Sequence, residues 1–147
     1  MKNEMEIIFD AISDNEGFAR VAVAAFVAHL NPTLEELADI KTAVSEAVTN
    51  CIIHGYPEGI GKIELKCRLE ASVLHIEVTD TGKGIDNIEQ AMEPLFTTKP
   101  ELERSGMGFA FMEAFMDDLE VESTPGEGTT VRMVKKIGLG SWIDSED

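Results

Sequence analysis

The chain has 147 residues, 44% of them apolar and 27% charged, the size and balance of one globular domain around a single core. Its 28 acidic residues against 12 basic ones leave a formal charge of −16, which argues against generic binding to nucleic acid or to an anionic membrane and leaves solubility or a basic protein partner as uses for that surface. Cys51 and Cys67 have no C-x-x-C spacing and read as reduced core thiols of a cytoplasmic protein. Met1 to Glu6 lacks the apolar core of a signal peptide, and no apolar run approaches the roughly 18 residues that a membrane span needs.

In chain order, Met5 to Ile12 reads as a short strand at a sheet edge, with Ile7, Ile8 and Phe9 apolar. Ser13-Asp14-Asn15 offers helix N-caps, and Phe18, Val21, Ala22, Ala25, Phe26 and Leu30 form a helical stripe. Arg20 is the one basic residue of that stretch. A solvated charge and a partner contact are both open readings of it.

Asn31-Pro32-Thr33 ends the first helix and caps a second. In this second helix Leu37, Ile40, Val44, Ala47, Val48 and Cys51 recur at three- and four-residue steps. The spacing predicts a helix to about His54, with Gly55 as its stop. Glu46 and Asn50, four apart, share a face away from the apolar stripe. That pair fits a surface contact, or a general base beside a metal ligand.

Lys62 to Glu70 and Val73 to Thr79 alternate apolar and polar residues around Ala71-Ser72, a hairpin. The second strand runs into Asp80-Thr81-Gly82-Lys83-Gly84-Ile85. Asp86 to Arg104 has weak periodicity, two prolines and the cluster Thr97-Thr98-Lys99, and a stretch that long inside a compact domain reads as a lid. Arg104-Ser105-Gly106-Met107-Gly108 opens a short apolar helix from Phe109 to Met116. Asp118 to Ser123 and Thr129 to Lys136 are strands joined by a turn at Thr124-Pro125-Gly126-Glu127-Gly128. Residues 138–147 read as a loose acidic tail after a domain of residues 1–137. The order β-α-α-β-β-lid-α-β-β predicts an α/β two-layer sandwich, with one mixed, mostly antiparallel sheet and helices on one face.

Four elements recur in a telling order: Glu46-x-x-x-Asn50, Asp80-x-Gly82-x-Gly84, Gly106-Met107-Gly108 and Gly128-Thr129-Thr130. Each alone is weak. Together, with a long segment between the second and third, the pattern resembles the GHKL (Bergerat) ATP-binding superfamily of gyrase, Hsp90, the MutL repair protein and histidine kinases. Three runs narrow the resemblance to the anti-sigma-factor serine kinases of endospore-forming bacteria. They are Ser45 to Asn50, Phe96 to Phe109 (Phe-Thr-Thr-Lys-Pro-Glu-Leu-Glu-Arg-Ser-Gly-Met-Gly-Phe) and Phe115-Met116-Asp117-Asp118. The likeness spans about Asn3 to Lys136.

The resemblance implies ATP or ADP with Mg²⁺ as cofactors. It implies Asn50 as the single protein ligand of the metal, which tolerates few protein oxygens and keeps its waters. Glu46, one turn earlier, is implied as the base for an attacking hydroxyl. Asp80 is implied as the acceptor for the adenine amino group, with Gly82 and Gly84 allowing close backbone approach and Thr130 supporting the site from the last strand. Gly106 and Gly108 put N–H groups at a helix N-terminus, a phosphate cradle, with Met107 and Phe109 as packing residues around it. Lys99, Arg104 and Ser105, with Thr97 and Thr98 beside them, are the lid groups within reach of a γ-phosphate. His54 lines the pocket or makes a structural contact.

The implied partners are a sporulation sigma factor, a small anti-anti-sigma protein phosphorylated on serine, and a second copy of the chain, with Arg20 at a partner surface. No G-x-x-x-x-G-K-[ST], H-R-D or D-F-G motif and no zinc spacing occurs. A switch kinase for another sigma factor, a nucleotide-gated binding module without phosphotransfer and a histidine kinase fragment are the rival expectations.

Overall fold

The structure, a computed structural model, describes residues 2–85, Met92 and 108–138. The expected tail lies outside this range apart from Gly138, as does the expected lid apart from Met92. The elements are β1 (Lys2–Asp10), α1 (Asp14–Val27) with a 3₁₀ turn (Ala28–Leu30), and α2 (Leu34–Asn50) continued by a π turn (Cys51–Gly55). Then come β2 (Lys62–Glu70), β3 (Val73–Asp80), α3 (Gly108–Phe115), β4 (Asp118–Thr124) and β5 (Gly128–Lys136).

The five strands form one sheet in the order β1-β2-β3-β5-β4, with β1 at the edge as its short apolar run predicted. The strand begins earlier than the apolar pattern suggests, because Lys2 to Glu4 continue the backbone ladder opposite Arg68 to Glu70. Among the described residues all four pairings are antiparallel, so the sheet is antiparallel where a mixed one was expected. Topology explains this. Two helices between β1 and β2 return the chain to the end where β1 finished, so β2 runs back beside it. The crossover through α3 makes β4 parallel to β3, but β5 inserts between them.

Alternation decides which face is buried. Phe9, Ile63, Leu65, Cys67, Leu69, Leu74, Ile76, Val78, Val131 and Met133 are buried on the face that the helices cover. The helical side of this core is Ala19, Val23, Phe26 and Val27 from α1, Ile40, Ala43, Val44, Ala47 and Val48 from α2, and Phe109 and Met112 from α3. The central helix α2 packs against both α1 and α3.

The opposite sheet face is a ladder of alternating charge. Glu6, Lys66, Glu77, Arg132 and Glu120 follow one another across it by register. Arg132 bonds Glu77 at 2.8 Å and also Glu122. Such exposed pairs contribute about 0–1 kcal/mol each, so they pattern the face more than they stabilise it.

The start of α2 is built as its sequence predicts. Thr33 Oγ1 accepts the Glu36 N–H at 3.0 Å while Glu36 Oε1 accepts the Thr33 N–H at 2.9 Å, a complete capping box. Ser13 occupies the N-cap of α1 without a side-chain cap bond. No helix of the described residues is long and apolar enough to cross a membrane.

Candidate functional site

The site begins where α2 changes pitch. Regular α-helix stops at Asn50, and the next five residues form a π turn closed by the Tyr56 N–H on the Cys51 carbonyl at 3.0 Å. Single π turns inside or after helices concentrate at functional sites. Here the wider turn swings Cys51 and Gly55 onto the end of β3. His54, at the predicted end of the helix, sits in this turn, where the phase is no longer that of an α-helix. Glu46 and Asn50 lie one turn apart in the last part of α2, both half-buried.

Asp80 ends β3 on the helix side of the sheet and is 3% exposed. Its Oδ1 accepts the Gly82 N–H at 2.9 Å. Beside it, the Cys51 thiol and the Thr129 N–H also favour the ionised form of this carboxylate. Burial holds the Asp80 carboxyl above its ordinary value of 3.8, and these three groups pull it part of the way back. Burial, with the carboxylate beside it, pushes the Cys51 thiol well up, so it stays protonated and serves as a donor. A carboxylate has about four acceptor positions. The Gly82 bond, with Cys51 and Thr129 beside it, leaves acceptor capacity, which suits a ligand amino group.

The loop after Asp80 is held tightly. The Lys83 N–H donates to the Gly55 carbonyl at 2.9 Å, and a β-carbon at Gly82 would fall 1.9 Å from that same oxygen. Only glycine fits there. What a side chain at Gly82 or Gly84 would meet is the protein's own backbone, at Gly55 and Thr124 respectively. Further along, the Ile85 N–H donates to Ser123 Oγ at 2.7 Å and the Gly126 N–H to the Lys83 carbonyl at 2.7 Å.

Register separates the two threonines of β5. Asp80 pairs with Thr129, so these two share the helix side, while Thr130 pairs with Thr79 on the open side. The Thr79 and Thr130 hydroxyls bond each other at 3.2 Å. Thr129 is 5% exposed, and its Oγ1 lies 2.8 Å from Ser123 Oγ. Thr129, not Thr130, is the threonine the sheet sets beside Asp80.

The structure thus brings the Asn50 end of α2, Asp80, Gly82 and the Gly128-Thr129 corner together. Gly108 opens α3, half-buried, and Phe109 is buried in the core. Thr97, Thr98, Lys99, Arg104, Ser105, Gly106 and Met107 lie outside the described residues. Arg20 stands apart on the outer face of α1, its Nε 3.5 Å from Glu16 Oε2, beside exposed Phe18 and Val21. Gly55, Tyr56, Ser123 and Thr129 join the site, and Cys51 is more than the plain core thiol its sequence context predicts. Only strand register and the π turn give them their places.

An antiparallel sheet under α1, α2 and α3, with a buried carboxylate at the end of a central strand against a glycine-bearing turn, fits a nucleotide-binding domain of the ATPase-kinase class. The family described as histidine kinase-like ATPase domain matches residues 13–135. Curated relatives include the anti-sigma F factor of a Thermoanaerobacter species, 64% identical over 92% of this chain and 95% of that one. Another is the anti-sigma F factor of Bacillus subtilis, 57% identical over 93% of this chain and 94% of that one. By these likenesses the chain belongs to the anti-sigma F factors within the histidine kinase-like ATPase family. Its fold is also that of a crystal structure of the RsbU and RsbW domains of a Mycobacterium tuberculosis protein. There the TM-score is 0.66 at 20% identity, over 92% of this chain and 32% of that one.

Proposed function

We propose that this protein is a nucleotide-switched anti-sigma factor. It holds a sporulation sigma factor of the F type and uses Mg·ATP to phosphorylate a serine of a small anti-anti-sigma protein. The observation that carries the reading is the Asp80 carboxylate, buried at 3% exposure, bonded by the Gly82 N–H and with acceptor capacity to spare. Burial of a carboxylate costs stability, and a buried carboxylate kept at that cost with acceptor capacity left over marks a ligand site. The names of the curated relatives supply the sigma factor.

In this reading Asp80 accepts the adenine amino group and Thr129 flanks it, in place of Thr130. Asn50 supplies one oxygen to Mg²⁺, and Glu46 takes the proton from the attacking serine hydroxyl. Bound Mg·ATP provides an activated phosphoryl group whose charge the metal offsets. Lys99, Arg104 and Ser105, with the Gly106-Met107-Gly108 run, meet the phosphates. Arg20, with the exposed apolar residues beside it, belongs to the partner surface. The working state is a cytoplasmic homodimer.

The test is capture of partners from sporulating-cell lysate, once with Mg·ATP and once with Mg·ADP. A sigma factor held with ATP and a small protein held with ADP are the expected results. The same set in both nucleotides would sink the switch. Glu46→Gln should retain ATP binding and lose phosphoserine formation by about 10²–10⁴-fold. A wild-type protein that binds ATP yet labels no serine would leave a nucleotide-gated binding module instead.

A further inference from the structure

We propose that Tyr56 is a positioning residue for nucleotide recognition, through two hydrogen bonds that its buried hydroxyl makes to the start of β2 and to the segment after Asp80. Tyr56 follows the π turn and is 8% exposed. Its hydroxyl donates to the Lys62 carbonyl at 2.7 Å and accepts the Thr81 N–H at 2.7 Å. Thr81 Oγ1 lies 3.2 Å away. The ring fills the space over Gly61, where a β-carbon would come 2.3 Å from Cε1.

These bonds act on a particular point. Tyr56 holds Thr81, and its neighbour Gly55 holds Lys83 through a 2.9 Å bond. Between them lies Gly82, whose N–H donates to Asp80 Oδ1. Two consecutive residues at the exit of the π turn thus grip both sides of the donor that orients the carboxylate. A recognition group that is fixed before the ligand arrives loses less entropy on binding. Removing the hydroxyl leaves the Thr81 N–H and the Lys62 carbonyl without this partner. The loop then has to be ordered by the nucleotide itself.

The inference rests on Asp80 as the adenine acceptor. Tyr56→Phe keeps the ring and its packing. Titrated with fluorescent ADP and ATP well below the melting temperature, it should bind on the order of fivefold more weakly. Its KM for ATP should rise with kcat unchanged, and its preference for ATP over GTP should narrow. Affinity equal to wild type would overturn the inference, as would equal losses in kcat and affinity, which would mark a general structural role.

Tyr56 is the single tyrosine of the chain, so fluorotyrosine incorporation gives one fluorine NMR probe in the wild-type fold, independent of any variant. That resonance should be a single narrow line at a buried position in the apo protein and in the ADP complex alike, and a broad or multiple apo signal that becomes one line only when ADP is added would also overturn the inference. Asp80→Asn separates the layers. If it binds nucleotide like wild type, the reading of Asp80 fails. If it is impaired while Tyr56→Phe is not, only the role of Tyr56 fails.

Discussion

The backbone at Gly55 lies so close to Asp80 that a β-carbon there would sit 2.9 Å from both Cγ and Oδ2 of the carboxylate. Carbon does not approach carbon or oxygen that closely without something shifting. The π turn that continues the helix of Glu46 and Asn50 is therefore fitted closely to the strand that carries Asp80.

Gly55→Ala should displace the Asp80 carboxylate and cost about 1–3 kcal/mol as an overpacked site. The expected outcome is a fall of tenfold or more in ADP affinity by calorimetry, together with a lowered melting temperature. A variant that binds ADP as tightly as wild type would mean that the Gly55 contact does not govern the carboxylate.

The raised Asp80 pKa gives two opposite pH dependences. Burial raises the folded value above 3.8, so the folded apo protein binds a proton more tightly than the unfolded chain. The stability this contributes is fully present below the unfolded pKa and is lost as pH rises through the folded one. Adenine binding favours the carboxylate form, so affinity should rise through the same window. Measured as wild type minus Asp80→Asn, apo stability should fall with pH while ADP binding free energy improves. Asp80→Asn itself should bind ADP about tenfold or more weakly, the loss expected for a hydrogen bond to a charged group. Parallel slopes would contradict the assignment.

The thiol at Cys51 adds a graded test. It donates to Asp80, and its own upward shift keeps the proton in place. Cys51→Ala removes one donor to the ionised form. It should therefore raise the Asp80 pKa further and move the acid limb of ADP binding to higher pH. Cys51→Ser returns a donor and should bring the limb back toward wild type. Identical profiles for all three proteins would show that the thiol only packs.

Much of this was legible in the sequence, for physical reasons. The Thr33 cap, the hairpin and the two β periodicities are local, and local signals survive in one dimension. The positions of Glu46, Asn50 and Asp80 follow from helix spacing and from the end of a strand. The π turn was not legible, because Cys51 to Gly55 continues the apolar pattern of α2 and Gly55 looks like an ordinary stop. The choice between Thr129 and Thr130 was not legible either, since it depends on register against β3, and a slip of one residue reverses the face. Tyr56 and Ser123 act across chain separations of 25 and 38 residues, which no local pattern encodes.

The capping box of α2 separates stability from binding. Glu36 accepts the Thr33 N–H, and its two oxygens also accept the Gly138 N–H, each at 3.1 Å. One carboxylate thus fixes the start of α2 and the chain just beyond the last strand. Thr33→Ala should cost about 1 kcal/mol, as cap losses do. Glu36→Ala should cost more, because it also releases Gly138, and the double variant should cost less than the sum, because the two share a motif. At 1.5 Å per residue the cap is about 20 Å from Glu46, so ADP affinity measured well below the melting temperature should stay at the wild-type value. Denaturant midpoints and calorimetry on the three variants give both quantities. Weakened ADP binding in Thr33→Ala would mean that fraying travels the length of α2, and the site would then depend on the whole helix instead of the π turn and the end of β3.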